Sequence, residues 1–422
     1  MAETGVTAGG AAEAAIDALP RQRALIFIVF LGVVSLFGDM TYEGARSVTG
    51  PYLGMLGVTA TTIGIVSGFG EFVGYALRAV AGSIADRTGR YWTITFVGYA
   101  VNMLAVPALA LAGNWPLAAG LIVGERTGRA IRRPVVQGMI SHAGEQVGSG
   151  RAFGLNESLD AAGATVGPLI MALVLAERGD YRFGFAVLLI TALLCLGTLI
   201  ATQRTYPNPQ KFEPSADGQP SGLPRAYWLY VAGGAMIGFG FVDFSLIAFH
   251  FQKGGGIPTN WIPVSYAVAM GAGAFANLLL GRLFDKIGFA VLIGVFLVAS
   301  FSTPLVFFGA SSLAFLGMVL WGINKGAQDT LFKPAIAGLI PPRRRSTAFG
   351  IFDTGFGIAW LVGSICFGLL YEKSIQVLVV ISVLGQLVSL PIFSLAKNAS
   401  QRSRDHGLIQ TSRNDNTIDQ SR

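Results

Sequence analysis

Long apolar runs and short polar breaks alternate along almost the whole chain. The apolar runs fall at about 24–46, 58–81, 91–112, 115–137, 151–176 and 183–203, and again at about 225–251, 261–281, 289–309, 312–336, 347–370 and 375–396. A helix crosses a bilayer in about 20 residues, so each run is long enough to span one. The stretch 204–224 interrupts the series with five prolines, at 207, 209, 214, 220 and 224. Proline removes a backbone donor and clashes with the preceding helical turn, so this stretch is predicted to be a linker rather than a membrane helix. The pattern predicts an all-α membrane protein of twelve transmembrane helices in two six-helix bundles, 24–203 and 225–396, joined by the linker 204–224. The remaining ends, 1–23 and 397–422, are expected to be tails, disordered over 1–20 and 397–422. The first is rich in Ala and Gly, carries Glu3, Glu13 and Asp17 and has no cationic start, unlike a secretory signal.

Composition agrees with the pattern. Hydrophobic residues make up 52% of the 422 and charged residues 13%, about half the charged share of an average soluble chain. The 56 glycines suit helices that approach closely in lipid. A net charge of +7 could indicate nucleic acid, but the basic residues sit at helix ends and form no patch or aromatic-interleaved face. They fit a positive bias on cytoplasmic loops better. With an even number of spans, the loops and tails on the side of both termini hold 21 Lys and Arg, and the opposite loops hold five. That asymmetry predicts a multi-pass protein of a bacterial inner or plasma membrane with both termini in the cytoplasm. Cys195 and Cys366 lie inside apolar runs and read as packed thiols, and His142, His250 and His406 are too scattered for a metal cluster. No phosphate-binding G-x-x-x-x-G-K-[ST] loop is present, so neither cofactor nor ATP is expected.

The chain also repeats itself. Gly82-Ser83-Ile84-Ala85-Asp86-Arg87-Thr88-Gly89 recurs as Gly281-Arg282-Leu283-Phe284-Asp285-Lys286-Ile287-Gly288, each set between two apolar runs, with Arg90 closing the first copy. Arg133-Pro134 recurs as Lys333-Pro334, and Ala152-Phe153-Gly154-x-x-Glu157 as Ala348-Phe349-Gly350-x-x-Asp353. Repeats in one order at a nearly constant offset indicate two homologous halves. The octapeptide G-x-[IL]-x-D-[RK]-x-G resembles the signature loop of the major facilitator superfamily, which joins helices 2 and 3 and, more loosely, helices 8 and 9. Gly163-Ala164-Thr165-Val166-Gly167-Pro168 further resembles the G-x-x-x-G-P motif in helix 5 of the drug/proton antiporter group, although Met171 and Ala172 stand where that motif has two more glycines. Arg126 resembles the arginine of the helix 4 motif, with Arg129 and Ala130 in place of its Gln and Gly. The resemblance covers about 24–396. It implies a major facilitator fold with the binding site between the halves near mid-membrane. It also implies a monomer in the lipid bilayer that moves a small-molecule substrate by alternating access.

An ionisable side chain inside a membrane segment is costly enough to be a functional candidate. The first segment carries Asp39 and Glu43 followed by Arg46, at spacings that put all three on one helical face. A Glu43–Arg46 pair capping the outer helix end is the plainer alternative for those two. The fourth carries Glu125, about 15 Å deep from Trp115 at helical rise, with Arg126 and Arg129 three apart. The second half carries Asp243 and His250, Lys325 and Asp329 four apart, and Asp353; Glu71, Arg78, Glu157 and Asp160 complete the set. Intramembrane acids outnumber bases nine to four in this reading, so some must be protonated, face water or meet a cation.

By resemblance, helices 1, 4, 7 and 10 line the cavity, which selects Asp39, Glu43, Glu125, Arg126, Arg129, Asp243, Lys325 and Asp329 as substrate and proton groups. Gly82, Asp86, Arg87, Gly89, Arg90, Asp285 and Asp353 are the gate candidates. Asp86 in particular is expected to hold the cytoplasmic side closed at the start of helix 11, whose unpaired N–H groups favour an anion. Gly163, Gly167 and Pro168 form the helix 5 motif. Asp39 has no partner in its own helix, so proton exchange is assigned chiefly to it, and Glu125 and Arg126 to a pairing that changes through the cycle. The function predicted is proton-coupled efflux of a small solute. An importer of an organic or metal-chelate solute on the same fold remains open, as does a non-transporting sensor or scaffold. An enzyme is not expected, because no Ser/His/Asp or metal arrangement occurs. Reporter fusions should test the topology. Fusions at Gly148, Gly218 and Asn398 should report cytoplasm, and those near Gly113 or Gly255 the outside; an external signal at Gly218 contradicts the two-half organisation.

Overall fold

The computed structural model describes residues 8–206, 223–254, 257–288, 290–340 and 345–419. Among them no strand occurs. The helices in chain order are α1 (Ala8–Met55), α2 (Ala60–Thr88), α3 (Tyr91–Ala108), α4 (Trp115–Val147), α5 (Ser149–Arg178), α6 (Tyr181–Thr205), α7 (Arg225–Gly240) and α8 (Phe244–Gln252). They continue as α9 (Ile262–Ile287), α10 (Ala290–Ala299), α11 (Ser302–Phe308), α12 (Ser311–Leu339), α13 (Arg345–Lys373) and α14 (Ile375–Asp419). Among the described residues ten helical stretches are long and apolar enough to cross a membrane. Helices α4 and α12 are of comparable length but are not among them. Most of the linker lies outside the described residues.

Two departures from the sequence reading have local causes. Helical backbone starts at Ala8 and runs on to Asp419, where irregular tails are expected; Ala-rich sequence such as that of 8–19 favours helix even without a membrane. The run 225–251, read as one helix, is two. Helix α7 stops at Gly240, and Phe241, Val242 and Asp243 leave helical geometry before α8 begins.

The paired octapeptides have a shared backbone reason. Gly89 follows α2 with φ +64°, and Gly288 follows α9 with φ +59°. Each donates its N–H back to the helix it ends, to Ala85 O at 2.9 Å and Phe284 O at 2.8 Å. The left-handed conformation costs a residue with a Cβ about 1–2 kcal/mol, so the last glycine of each copy is a helix stop.

By contacts the chain divides into two compact units, one of Met1–Leu56, Leu77–Pro214 and Thr259–Ala267, the other of Gly57–Ala76, Ser215–Pro258 and Val268–Arg422. In the first, α1 and α5 meet backbone to backbone. A Cβ on Gly163 would stand 2.3 Å from Leu36 O, and one on Gly167 2.2 Å from Met40 O. Helices α3 and α4 meet in the same manner, with Gly128 against Asn102 N at 2.5 Å and Gly98 against the Arg132 backbone N at 2.8 Å. An apolar core of Phe27, Leu31, Trp92, Met103, Val136 and Leu199 packs beside these crossings.

In the second unit α9 and α12 cross at Gly322, whose Cβ would stand 1.9 Å from Ala269 O. The α7–α8 interruption is fixed by side chains from α12 and α14. Gly240 O accepts from Ser382 Oγ at 2.7 Å and Gln386 Nε2 at 3.2 Å, and Val242 O accepts from Trp321 Nε1 at 2.8 Å. Asn324 donates to Gln386 and Gln328 donates to Asn324, both at 2.8 Å. Aromatic rings fill the space around this chain of amides, with Phe241 stacked on Trp321 at 4.9 Å and tilted against Trp360 at 5.0 Å.

The α1–α5 crossing makes a direct prediction. Gly163→Ala or Gly167→Ala should destabilise the protein by about 1–3 kcal/mol, because a carbonyl of the facing helix cannot yield to the added methyl. Gly154→Ala, on the same helix with nothing within 4 Å of its Cβ position, should be neutral. Thermal unfolding in detergent compares the three, and equal midpoints would show that the crossing relaxes freely.

Candidate functional site

The first unit gathers most of the predicted charges into one buried network, because the two glycine crossings bring α1 against α5 and α3 against α4. Asp39 and Glu43 on α1 are 7% and 6% exposed, and Glu125 and Arg126 on α4 are 6% and 5%. Asp39 pairs with Arg132 at 3.6 Å, Glu43 with Arg129 at 3.8 Å, and Glu125 with its neighbour Arg126 at 3.4 Å. Glu43 also accepts from Tyr266 OH at 2.6 Å. The plain alternative for Glu43, a cap shared with Arg46, gives way to these partners, while Arg46 donates to Tyr42 OH at 2.9 Å.

Aromatic and amide groups join the ions. The Tyr42 ring has the guanidinium carbons of Arg129, Arg126 and Arg46 at 3.9, 5.0 and 6.0 Å from its centroid, a cation–π arrangement that gains strength where water is excluded. Its hydroxyl also accepts from Arg126. Asn102 on α3 donates to the Glu125 carboxylate at 2.7 Å and to Glu125 O at 3.1 Å. Arg132 completes the connection, donating to Asn102 Oδ1 at 3.1 Å and Tyr99 OH at 3.0 Å, with its guanidinium 4.4 Å from the Tyr99 centroid. Asn102 therefore links the Asp39–Arg132 pair to the Glu125–Arg126 pair.

A cavity of about 20 Å³ opens beside Asp39, lined also by Arg129, Arg132, Arg133, Asn156 and Asp160. That volume holds about one water molecule. Asn156 is 5% exposed, and its Oδ1 has no hydrogen-bond partner, so an acceptor is already turned toward an occupant. Asp160 shares this cavity with Asp39.

Several residues of the network escape the sequence reading. Arg132 is counted there only among the Lys and Arg of the cytoplasmic side, and Arg46 is weighed only as a capping partner of Glu43; both are buried, at 5% and 4% exposure. With these two added, the excess of buried acid over base shrinks. Arg132 carries a signal, since it lies three residues beyond Arg129 and so on the same helical face. Tyr99, Asn102 and Tyr266 carry none.

The other predicted residues lie elsewhere. Lys325 and Asp329 form an ion pair one turn apart on α12, the intrahelical option of the sequence reading. Asp243 is 3% exposed and caps α8 by accepting from Ser245 N at 2.8 Å. Arg87 and Arg90 are exposed, Gly82 is partly buried, and Asp353 is half-buried on α13. The side chains of Asp86 and Asp285 lie outside those described. Gly163 and Gly167 lie at the α1–α5 crossing, and Pro168 sits inside a continuous α5.

A polytopic helical chain with a paired charge network inside its membrane segments is the build of a solute carrier. Comparison with known proteins gives the family: the chain belongs to the Major Facilitator Superfamily, whose model matches residues 24–331. It is a multi-pass membrane transport protein with the major facilitator fold. An uncharacterized protein of Mycobacterium tuberculosis (strain ATCC 25618 / H37Rv) is 36% identical over 379 residues, 88% of this chain and 93% of that one. An uncharacterized MFS-type transporter of Methanocaldococcus jannaschii is 24% identical over 359 residues, 82% and 89% of the two chains. Among solved structures, a peptide transporter in complex with sulfate matches with TM-score 0.73 at 14% identity, covering 89% of this chain and 95% of that one. A nucleoside transporter matches with TM-score 0.72 at 13%, covering 88% and 99%.

The network predicts a coupled loss. Arg132→Leu should destabilise the protein by about 3–5 kcal/mol, because it leaves the Asp39 carboxylate buried beside a removed counter-ion. Asp39→Asn in the same chain should recover part of that loss. Denaturant unfolding of the single and double variants reads the coupling, and strictly additive losses would show that the pair is not an energetic unit.

Proposed function

We propose that the protein is a secondary active transporter that exports a small solute in exchange for protons. Two six-helix halves, 24–203 and 225–396, would alternate in exposing the solute, with both termini in the cytoplasm of a bacterial inner or plasma membrane. The observation that carries the reading is the position of Asp39. Its carboxylate is buried, shares a water-sized cavity with Asp160, and is held by Arg132, which also binds Asn102 and Tyr99.

A carboxylate in such a place has two low-energy states. Ionised, it needs the guanidinium; protonated, it can release it. Arg132 has alternative partners one hydrogen bond away, so separating it from Asp39 leaves no bare guanidinium. Protonation of Asp39 would thus free α1 to move relative to α4, and pairing with Arg132 would expel the proton. Glu43, Arg129, Glu125 and Arg126 surround that exchange and hold the field steady. The acceptor at Asn156 Oδ1 and the carboxylate of Asp160 give the solute or its accompanying water polar contacts in the same cavity. Neither proton nor solute requires a cofactor here.

Inside-out vesicles carrying an internal pH reporter test the reading. Addition of a transported solute should move protons across the membrane in wild type. Asp39→Asn should reduce that coupled flux at least about tenfold, since it removes the one group meant to change charge, while leaving insertion intact. Wild-type pH dependence in the Asp39→Asn variant would refute the assignment, with Glu125→Gln as the next substitution.

A further inference from the structure

We propose that Asp160 is a second proton station, which exchanges a proton with Asp39 through one water molecule anchored on Asn156 Oδ1. The proposal rests on the reading of Asp39 given above and adds the route by which its proton arrives and leaves.

The two carboxylates come from different helices, and backbone packing brings them together. Helices α1 and α5 touch where Gly163 meets Leu36 O and Gly167 meets Met40 O. Asp39 lies three residues from Leu36 and Asp160 three residues from Gly163, so each acid continues a face that meets at this crossing. The strongest charge–charge interaction of Asp39 is with Asp160, ahead of those with Arg129 and Arg132, although Arg132 stands only 3.6 Å away. Two carboxylates that close do not both ionise cheaply where water is scarce, and one proton held by the pair relieves the repulsion.

The cavity beside them has the size and the chemistry for one water. It measures about 20 Å³ and is lined by both carboxylates and by Asn156. A space of about that volume holds a water when two to four polar groups surround it. Asn156 is 5% exposed and its Oδ1 has no hydrogen-bond partner. A buried acceptor left unpaired costs about 1–3 kcal/mol, and an ionised carboxylate has no hydrogen to give it. A water supplies one hydrogen to Oδ1 and keeps its other hydrogen and its lone pairs for the two acids.

That anchoring defines the exchange. When Asp39 is protonated, its O–H donates to the water oxygen, while the water's free hydrogen points to the Asp160 carboxylate. The Asp39 proton passes to the water as the free hydrogen passes to Asp160. Two O–H bonds break and two form, the water ends as a water, and the pair keeps its total charge. Asp39, now a carboxylate, takes up Arg132. Asp160 holds the proton three residues from Glu157, on the same face of α5; Glu157 is exposed and lines the same cavity, so this end meets bulk water. The other charges facing the pair are Arg129, Arg132 and Arg133 of α4 and Glu43 of α1. The arginines keep their protons, and Glu43 is engaged by Arg129 and Tyr266.

The test is infrared spectroscopy of the purified full-length protein in detergent after a rapid acid jump from a photoreleased proton. It follows the C=O stretch of protonated carboxyl groups, and the part missing from Asp39→Asn is the Asp39 signal. Asp160→Asn should slow the appearance of that signal at least about tenfold while leaving its final size. Asp160→Glu, which keeps a carboxyl group, should recover most of the rate, as a merely structural role for Asp160 would not require. Asn156→Leu, similar in shape but without the acceptor, should slow the signal in the same way, and carries the test should Asp160→Asn fail to fold. A wild-type rate in Asp160→Asn or in Asn156→Leu, beside a normal Asp39 signal, overturns the relay and leaves the reading of Asp39 standing. An Asp160→Glu variant as slow as Asp160→Asn overturns the relay as well. A wild-type protein with no Asp39 signal at any pH overturns the reading of Asp39 and the relay with it.

Discussion

A guanidinium or carboxylate inside a membrane segment has little water to turn to, so its partners must come chiefly from the protein itself. That requirement organises the first unit. Each of its acids at 39, 43 and 125 faces an arginine of α4, and the two outer pairs are joined through Asn102. Such distances can be met only if the helix backbones lie unusually close. Glycines at 163 and 167 on α5, and at 98 and 128 on α3 and α4, allow that approach. Small residues and charged residues are thus two parts of one arrangement.

At the α7–α8 interruption the second unit meets the same requirement with neutral groups. Its buried polar chain runs through Gln328, Asn324, Gln386 and Gly240, ending on a carbonyl that an unbroken helix would have satisfied itself. Amides can bridge helices without the desolvation cost of ions. They also cannot change charge. A network of amides holds one shape, whereas a network of acids and arginines can exchange partners when a proton arrives.

The fold was legible because a bilayer demands runs of a certain length and the duplicated octapeptide marks their register. Asp39, Glu43, Glu125, Arg126 and Arg129 were legible because charge in an apolar run stands out. Arg132 was not, since it lies next to Arg133 and Pro134, where the apolar run ends and a loop is the natural reading; α4 in fact runs unbroken to Val147. Tyr99, Asn102 and Tyr266 are ordinary residues in ordinary runs, made functional candidates only by what the crossings place opposite them. The α7 interruption was hidden for a related reason. Phe241 and Val242 are apolar, and the hydrogen bonds that replace the helix come from residues 79 to 146 positions away.

A helix interruption in a membrane needs a reason, because every backbone group it frees must find another partner. Here Trp321, Ser382 and Gln386 supply partners, which takes three side chains from two other helices. A continuous helix would have required none of them. The interruption turns Asp243 into the cap of α8, a position that no residue within a continuous helix can take. The unit therefore commits side chains from α12 and α14 to holding one carboxylate at one angle.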